Sequence, residues 1–335
     1  MGCCFEPATT GFHAMPKRIG MKRFFQACLC ILAGGLIFAF PSVLQAASDG
    51  WNVDGNGNWN VNGNWLGGGP FPNATTDTAT ITTVATTDIV ITLGQNITIA
   101  NLDCMQNTYK TTITGNQLTL NAATSLATAG TGALQIDSAV VIAANTTFGG
   151  SGTGSITING VISESGGART LTKANSSSTL YLTGANTYTG LTTISAGVIN
   201  IQNAAALGNV SGNTTVSSGA QLELQGGITV ASGEDITIRG TGISATGAIQ
   251  NISGANTIVG IITLAAASTI AAESGSTLTL SGTVINSGGG KAIEIGYAAL
   301  GAGGTGTVVL SGAGANGVGT SWNLKSGTLV LNKTA

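Results

Sequence analysis

The chain has 335 residues, of which only 7% are charged and 52 are glycine. Soluble domains carry about 25% charged residues and about 7% glycine, so this composition argues against an ordinary helical globule, while 42% hydrophobic residues argue against disorder. The formal net charge of −2 offers no basic excess to neutralise phosphates, so we expect no binding to nucleic acid. Low charge with abundant Thr, Ile, Val and Gly favours an all-β chain with many tight turns.

Residues 1–46 have the layout of an export signal peptide. Lys22 and Arg23 precede an apolar run over residues 28–40, and small residues follow at Ala46 and Ala47. The run is shorter than the about 20 residues that a membrane-spanning helix needs. We therefore predict export and cleavage after one of the two alanines. The alternative, an apolar core helix at the N-terminus, stays open.

Two later methionines also fit the start of the export signal. Met15 and Met21 are each followed within three residues by two basic side chains, as the beginning of a signal peptide requires. We therefore expect residues 1–20 to carry no structure.

Cleavage would change the chemistry that the chain can perform. It removes His13, the one histidine, and every cysteine except Cys104, and it leaves seven basic and twelve acidic residues. The mature chain then has no intrachain disulfide, no Ser-His-Asp or Cys-His nucleophile and no histidine-ligated zinc. We expect Cys104 to be a small buried residue, because no general base can be assigned to it.

The segment 47–74 is rich in Asn, Gly and Trp and is predicted to form an N-terminal cap. Trp51, Trp59 and Trp65 recur among Asn-Gly pairs, which are strong turn signals. In one interpretation, the three rings cover the open end of a stack of strands, since terminal repeats must block edge pairing. In the other, they form an aromatic platform that contacts carbohydrate.

From residue 75 to 335, short runs alternate apolar residues with Thr, Ser or Asn, which is the period of a strand with one buried face. A phrase with the pattern Leu-x-Leu, or Val-x-Leu in one copy, recurs at irregular spacing, near residues 180, 222, 278, 308 and 329. Each phrase is too short to bury its own apolar side, so neighbouring copies must stack. We predict a right-handed parallel β-helix, or β-solenoid, with a dozen or so turns of 20–25 residues; an array of β-sandwiches is the alternative fold.

The most complete repeat lies at residues 166–202. Leu171, Thr172 and Lys173 open it, residues 179–182 give Thr-Leu-Tyr-Leu, residues 184–188 give Gly-Ala-Asn-Thr-Tyr, and a Gly-Val-Ile-Asn-Ile strand closes it at residues 197–201. In order and spacing, these motifs resemble the autotransporter-associated β-strand repeat, also called the passenger-associated transport repeat. Residues 326–333 resemble the closing strand of a second copy.

The resemblance implies a secreted or surface-displayed bacterial passenger with a β-helical fold and an adhesive role. It also implies an outer-membrane translocator, which we expect to lie outside this chain. The segment around Pro72, Asn73 and Asp77 is similar to the leader of the same proteins. The resemblance places the protein at the cell surface or outer membrane, or in the medium, of a Gram-negative-type bacterium.

We expect no catalytic, cofactor or metal site. β-helical carbohydrate-active enzymes need paired carboxylates, and the adjacent acids here, Glu234 and Asp235, would point to opposite faces of a strand. We interpret them as part of a solvated turn. The sequence thus favours a structural and adhesive protein with a polysaccharide or cell-surface ligand. A carbohydrate-active enzyme and an inert spacer for a further C-terminal module are the alternatives.

The alternation also assigns side chains to the inside or outside of the solenoid. Leu180 and Ile194 are predicted to point inward, so Asp at either position should abolish cooperative unfolding. Thr192 is predicted to point outward, so Asp should be tolerated there.

Overall fold

The computed structural model describes residues 48–82, 84–123, 126–175, 177–297, 304–317 and 321–334. The predicted signal peptide, with Met15 and Met21, lies outside these ranges. The described chain is almost entirely β-structure, with two short 3-10 turns at Asn62–Asn64 and Ile243–Ala245. Within these ranges, no helix is long and apolar enough to cross a membrane.

The strands fall into three columns, which we call face 1, face 2 and face 3. Face 1 contains β2 (Gly57–Asn58), β4 (Ile89–Leu93), β7 (Thr111–Gly115), β10 (Leu134–Ile136), β13 (Ile156–Ile158), β16 (Thr179–Leu182), β18 (Gly197–Ile201), β20 (Ala220–Gln225), β23 (Ile249–Ser253), β28 (Ala292–Ile295) and β30 (Ser321–Leu324). Face 2 contains β5 (Ile97–Ile99), β8 (Leu118–Leu120), β11 (Val140–Ile142), β14 (Ile162–Glu164), β21 (Thr229–Val230), β24 (Ala255–Ile258), β26 (Thr277–Leu280), β29 (Thr307–Ala313) and β31 (Thr328–Thr334). Face 3 contains β1 (Asp49–Trp51), β3 (Thr78–Ile81), β6 (Asn101–Cys104), β9 (Leu126–Thr128), β12 (Thr146–Gly150), β15 (Leu171–Lys173), β17 (Thr192–Ile194), β19 (Thr214–Val216), β22 (Ile236–Gly240) and β27 (Val284–Asn286).

One long strand, β25 (Ile262–Ala272), crosses a corner. Its first residues pair with β22 on face 3 and its last residues pair with β23 on face 1. The alanine-rich stretch 265–272, which is tempting as a helix from composition alone, is therefore extended. Packing against both neighbouring turns overrides the helix propensity of alanine.

Apart from those at the ends of each sheet, strands pair in parallel with the strand one turn earlier and the strand one turn later on their face. Leu134 pairs with Ile156, Ile156 with Leu180 and Leu180 with Ile199, so successive turns take 22, 24 and 19 residues. The described residues form about 11 such turns. This arrangement confirms the predicted β-solenoid, and the β-sandwich alternative is wrong because the stacked strands run parallel. The right-handed sense stays a prediction.

The core lies inside the coil and consists of stacked aliphatic columns. In most strands, the first and third residues are buried and the middle one faces outward, as in β10 and β13. Leu180 and Ile194 are both fully buried, as predicted. Burial of each such side chain contributes about 1.5–3 kcal/mol to the free energy of unfolding. The aliphatic columns thus provide the stability that disulfides provide in many small exported domains.

Glycines occupy several corners because the carbonyl oxygen of the preceding turn lies directly beneath them. A Cβ atom at Gly184 would lie 2.6 Å from the oxygen of Gly160, and one at Gly212 would lie 2.5 Å from the oxygen of Gly190. Other vertical glycine pairs repeat the arrangement, namely Gly130 with Gly152, Gly132 with Gly154, and Gly260 with Gly282. Real Cβ atoms do not approach backbone oxygen so closely, so any larger residue would push two turns apart.

Face 2 is interrupted where the best repeat copy lies. No strand forms on this face in residues 183–191 or 202–213, both of which the structure describes. Asn186 bridges the gap: its Oδ1 accepts the backbone N–H of Ile162 at 2.8 Å, and its Nδ2 donates to the oxygen of Ala206 at 2.6 Å. The buried amide of Asn186 thus adds to the backbone hydrogen bonds that residues 186 and 187 make to Ala205 and Ile162, and it keeps the polar backbone groups of both neighbouring turns paired.

Candidate binding face

The outer side of face 1 carries two adjacent rows of polar side chains, which we call the polar strip. Strand pairing from β10 to β23 places one residue of each turn directly above its equivalent in the turn before. The first row is Gln135, Thr157, Tyr181, Asn200, Glu223 and Gln250, of which Asn200 and Gln250 are covered by their neighbours and only 2% and 6% exposed. The second row, at or just after the end of each strand, is Asp137, Asn159, Thr183, Gln202 and Gln225. Because neighbouring strands lie about 4.8 Å apart, the strip offers polar groups at a regular vertical spacing.

Hydrogen bonds between turns hold the first part of the strip in place. One oxygen of Asp137, Oδ1, accepts from Gln135 Nε2 at 2.9 Å and from Asn159 Nδ2 at 2.7 Å. The hydroxyl of Thr183 donates to Asn159 Oδ1 at 2.8 Å. These contacts order exposed side chains before any ligand arrives, which lowers the entropy that binding would cost.

Further along the strip, Asn200 links two turns. Its Nδ2 donates to Glu223 Oε2 at 2.9 Å, and its Oδ1 accepts from Gln202 Nε2 at 3.1 Å. Burial raises the pKa of Glu223, and the charge of Glu273 raises it further, whereas the hydrogen bond from Asn200 lowers it. Glu223 is half-buried, so part of its carboxylate remains open to a ligand.

A second amide chain lies beside the end of the strip. Gln221 donates to Gln250, Gln250 donates to Glu273, and the Tyr297 hydroxyl donates to Glu273 Oε1 at 2.6 Å. Burial and the neighbouring Glu273 raise the pKa of Tyr297 to about 12. Gln221 also donates to Thr246 Oγ1 at 3.1 Å, just after the turn Ile243–Ala245, so this loop covers the amide.

Sequence reasoning did not identify the polar strip or the proximity of Glu223 and Glu273. The two glutamates are 50 positions apart in the sequence, and the turns between them vary in length. Their proximity therefore depends on the strand register, which cannot be read from the sequence alone. A search for polar residues in the middle position of successive Leu-x-Leu phrases would have found Tyr181 and Glu223, but not their neighbours.

The three tryptophans of the predicted cap are buried, with exposed fractions of 0%, 0% and 2% for Trp51, Trp59 and Trp65. Trp65 makes edge contacts with both other rings, at centroid distances of 5.4 and 4.8 Å. Trp59 Nε1 donates to the oxygen of Pro72 at 2.8 Å, and Trp65 Nε1 donates to the oxygen of Trp59 at 2.7 Å. No ring offers a free face to a sugar, so the burial favours the cap over the carbohydrate platform.

The cap is continuous with the rest of the solenoid. β1 pairs with β3, and β2 pairs with β4, in the same parallel sense as later turns. The segment predicted as a separate cap at 47–74 therefore supplies strands to faces 3 and 1 from residue 49 onward.

A polar cluster is buried beside the best repeat copy. The Tyr188 hydroxyl lies 2.7 Å from Thr192 Oγ1, which donates to the oxygen of Leu207 at 3.2 Å. One turn further, Thr214 Oγ1 donates to Glu234 Oε1 at 2.6 Å. Burial raises the pKa of Tyr188, the charge of Glu234 raises it further, and the hydrogen bond with Thr192 opposes them.

Two predictions fail at this cluster. Thr192 was predicted to point outward, but its side chain is fully buried and Thr193 takes the outward position. Glu234 was predicted to lie in a solvated turn, but it is only 3% exposed. Burial raises the pKa of Glu234 to about 7; the hydrogen bond from Thr214 opposes this rise, and the charge of Asp235 adds a smaller one. Asp235 is half exposed and accepts the backbone N–H of Ile261 at 2.8 Å.

Two reactive side chains lie in the core. Cys104 is buried, as predicted, and burial raises the pKa of its thiol. Lys173 is fully buried; its ammonium donates to the backbone oxygen of Asn175, and burial lowers its pKa to about 8. Neither side chain reaches the polar strip. In the part of the chain that the structure describes, no three His, Cys, Asp or Glu side chains group as metal ligands.

Stacked parallel turns, an aliphatic interior and polar outer faces define a β-solenoid repeat protein. The family model of the passenger-associated-transport-repeat matches residues 171–201, from β15 to β18. A curated relative, the "Adhesin BmaC autotransporter" of Brucella suis biovar 1 (strain 1330), is 46% identical over 61 residues. This match covers 18% of the chain and 2% of the relative. No solved structure matches the chain. The chain thus contains one passenger-associated transport repeat at residues 171–201, and it spans a small fraction of the length of this relative.

Proposed function

We propose that this protein is a secreted or surface-displayed passenger-like solenoid with a structural and adhesive role, and that the polar strip is its contact face. The observation that carries the proposal is the strip itself, in which hydrogen-bonding side chains repeat over successive turns of face 1. The match to the transport repeat and the similarity to an adhesin support it. On this proposal the protein is exported to the surface of a Gram-negative-type bacterium and depends on an outer-membrane translocator.

The physical basis is multivalency. A single exposed hydrogen bond contributes only about 0.5–1.5 kcal/mol, but contacts on one rigid scaffold add up because the later ones form at high effective concentration. A polysaccharide or a glycan-coated cell surface offers repeated hydroxyl groups that match such a scaffold. The contact requires no catalytic group, and we propose that the protein is not an enzyme.

Binding of the purified protein to glycans and whole cells tests the adhesive role. The variant Gln135→Ala/Thr157→Ala/Tyr181→Ala removes three outward side chains of the strip. The matched control Thr98→Ala/Thr119→Ala/Val141→Ala removes three outward side chains of face 2, which are also half exposed. Reduced binding by the strip variant alone supports the proposal. Equal binding by both variants, or no binding by the unmodified protein, contradicts it.

The enzyme alternative has one observation in its favour, because Glu273 is near enough to raise the pKa of Glu223. Paired carboxylates are what a glycosidase requires. Glu273, however, is already engaged by Gln250 and Tyr297. Release of reducing ends from a bound polysaccharide, lost in Glu223→Gln, would replace the adhesive proposal by the enzymatic one.

A further inference from the structure

We propose that the polar strip selects a linear polysaccharide that carries free amino groups, lying along the solenoid axis between Asp137 and Glu223. This inference rests on the proposed adhesive function and adds the chemical class of the ligand.

The charges of the strip are of one sign. Its charged members are Asp137 and Glu223, and Glu273 lies beside its end. No lysine or arginine occurs at the outward positions of face 1 between β10 and β23. The strip therefore favours cationic groups and repels polysaccharides that carry carboxylate or sulfate.

Both carboxylates keep one oxygen available. Asp137 uses Oδ1 for its two amide donors, and Glu223 uses Oε2 for Asn200. Within the described residues, no hydrogen bond engages Asp137 Oδ2 or Glu223 Oε1. Since a carboxylate accepts through both oxygens, each group can take a charge-assisted hydrogen bond from an ammonium group without breaking its internal contacts.

The separation of the two carboxylates sets the size of the ligand. Asp137 belongs to the turn of β10 and Glu223 to the turn of β20, four turns later. Four strand spacings of about 4.8 Å place them about 19 Å apart along the axis. A single sugar cannot span this distance, whereas an oligosaccharide of several units can contact both ends.

Tyr181 lies midway between the two carboxylates. It pairs with Thr157 on one side and Asn200 on the other, and its ring is half exposed on the outer side of face 1. A half-exposed aromatic ring provides an apolar face against which the C–H face of a sugar can pack, while its hydroxyl stays in water. The strip thus combines a central apolar contact with an anionic group toward each end.

Calorimetric titration of the full protein with soluble oligosaccharides tests the inference. The probes are a hexamer of glucosamine, the same hexamer with all amino groups acetylated, an alginate hexamer and the glucosamine monomer. We expect the amino hexamer to bind most tightly and the alginate hexamer least. We also expect the monomer to bind far more weakly than its hexamer. Affinity for the amino hexamer should fall as salt rises, because exposed charges are screened.

The decisive variant is Asp137→Asn/Glu223→Gln, which keeps the shape of the strip and removes its charge. We expect it to weaken binding of the amino hexamer by about tenfold or more, the effect of losing one or two charge-assisted hydrogen bonds. Binding of the acetylated hexamer should change little. Asp103→Asn, which removes a half-exposed carboxylate of face 3, is the control and should change neither.

The two levels of the proposal can fail separately. If no hexamer binds, the adhesive function through glycans is overturned together with its ligand class. If the acetylated hexamer binds but alginate binds as well as the amino hexamer, only the charge preference is overturned. Unchanged binding of the amino hexamer by the charge-free variant, with an unchanged melting temperature, overturns it as well.

Discussion

Inward-pointing side chains are buried at the N-terminal end of the described solenoid but largely exposed in its last turns. At the N-terminal end, the three tryptophans fold over the first turn and are almost fully buried. In the last described turns, Leu331 pairs in register with Leu310, yet Leu331 is 72% exposed and Leu310 only 2%. Likewise, Leu324 is 53% exposed, while its partner Ile295 is 1% exposed.

This difference shows what buries a residue in this fold. Strand pattern and register are the same for Leu310 and Leu331, so neither determines burial. An inward side chain is buried only when it has a turn on both sides or a cap, as expected for a fold in which each repeat contacts its neighbours alone. Matched substitutions in the interior, in the cap and in the last described turns test this conclusion.

The largest contrast should come from a charge placed in the aliphatic column. Leu180→Asp would bury an unpaired carboxylate between two turns, with an expected cost above about 4 kcal/mol and loss of cooperative unfolding; Ile194→Asp should behave in the same way. Leu331→Asp, in an exposed position, should change the free energy of unfolding by less than about 0.5 kcal/mol. Urea denaturation followed by circular dichroism measures both, and similar effects at Leu180 and Leu331 would refute the conclusion.

The cap provides the second contrast. Trp59→Ala removes a ring that packs against Trp65 and bonds to Pro72, so we expect a loss of about 3–5 kcal/mol. The loss should be concentrated in the first turns and appear as faster amide exchange in β3 and β4. Trp322→Ala removes a ring that is only partly buried in the last turns, and we expect a clearly smaller loss. A larger effect at Trp322 would mean that the tryptophans at the N-terminal end do not act as a cap.

The third contrast concerns the buried carboxylate of Glu234. Its folded pKa of about 7 lies above its ordinary value of 4.5, so the folded state favours the neutral acid. The stability linked to this group is fully present below pH about 4.5 and is lost as pH rises through about 7, by about 3 kcal/mol in total. Glu234→Gln should therefore become more stable than the unmodified protein above pH 7, and the difference should vanish or reverse near pH 4.

Thermal unfolding from pH 4 to pH 9 measures how the difference in stability between Glu234→Gln and the unmodified protein changes with pH. Glu294→Gln is the control near the C-terminal end, where the carboxylate is partly exposed and 3.2 Å from Lys325 Nζ. Such a pair contributes less than about 1 kcal/mol. A pH-independent difference between Glu234→Gln and the unmodified protein would show that Glu234 titrates as an ordinary exposed acid.

The smallest contrast concerns two threonines. Thr192→Val removes the hydroxyl between Tyr188 and Leu207 and leaves the Tyr188 hydroxyl without this partner, so we expect a loss of about 1–2 kcal/mol. Thr328→Val at the start of β31, where the side chain is exposed, should be neutral within about 0.5 kcal/mol. The denaturant midpoints of the two variants measure the two losses. If Thr192→Val had no effect on stability, Thr192 would point outward, contrary to the structure.

The sequence predicted the fold well because alternation and repetition are local signals. Leu180 and Ile194 follow from a period of two, and the Gly-Ala-Asn-Thr-Tyr motif resembles a known repeat. Thr192 was assigned to the outside because it is polar, although the period of two that places Ile194 inside also places Thr192 there. Its hydroxyl is accommodated in the core by the contact with Tyr188. Glu234 did not follow because an acidic residue next to another one normally lies in water.

The polar strip was beyond reach for a different reason. Which of its residues are neighbours depends on the length of every turn between them. These lengths range from 19 residues between Leu180 and Ile199 to 27 between Leu222 and Ile249. A single error in the length of one turn would move Glu223 away from Asn200. Sequence patterns therefore locate the outward positions within each turn, but not which of them lie side by side.

The vertical glycine pairs have a consequence for how such a gene can grow. Gly184 fits because it has no Cβ atom to meet the carbonyl oxygen of Gly160, and Gly212 fits over the carbonyl oxygen of Gly190 for the same reason. A duplication that begins and ends at equivalent points of two turns copies these corners intact and lengthens the rod without a clash. A duplication out of phase would set a side chain against a carbonyl and be eliminated. We therefore expect this protein to tolerate the insertion or deletion of whole turns better than that of part of a turn.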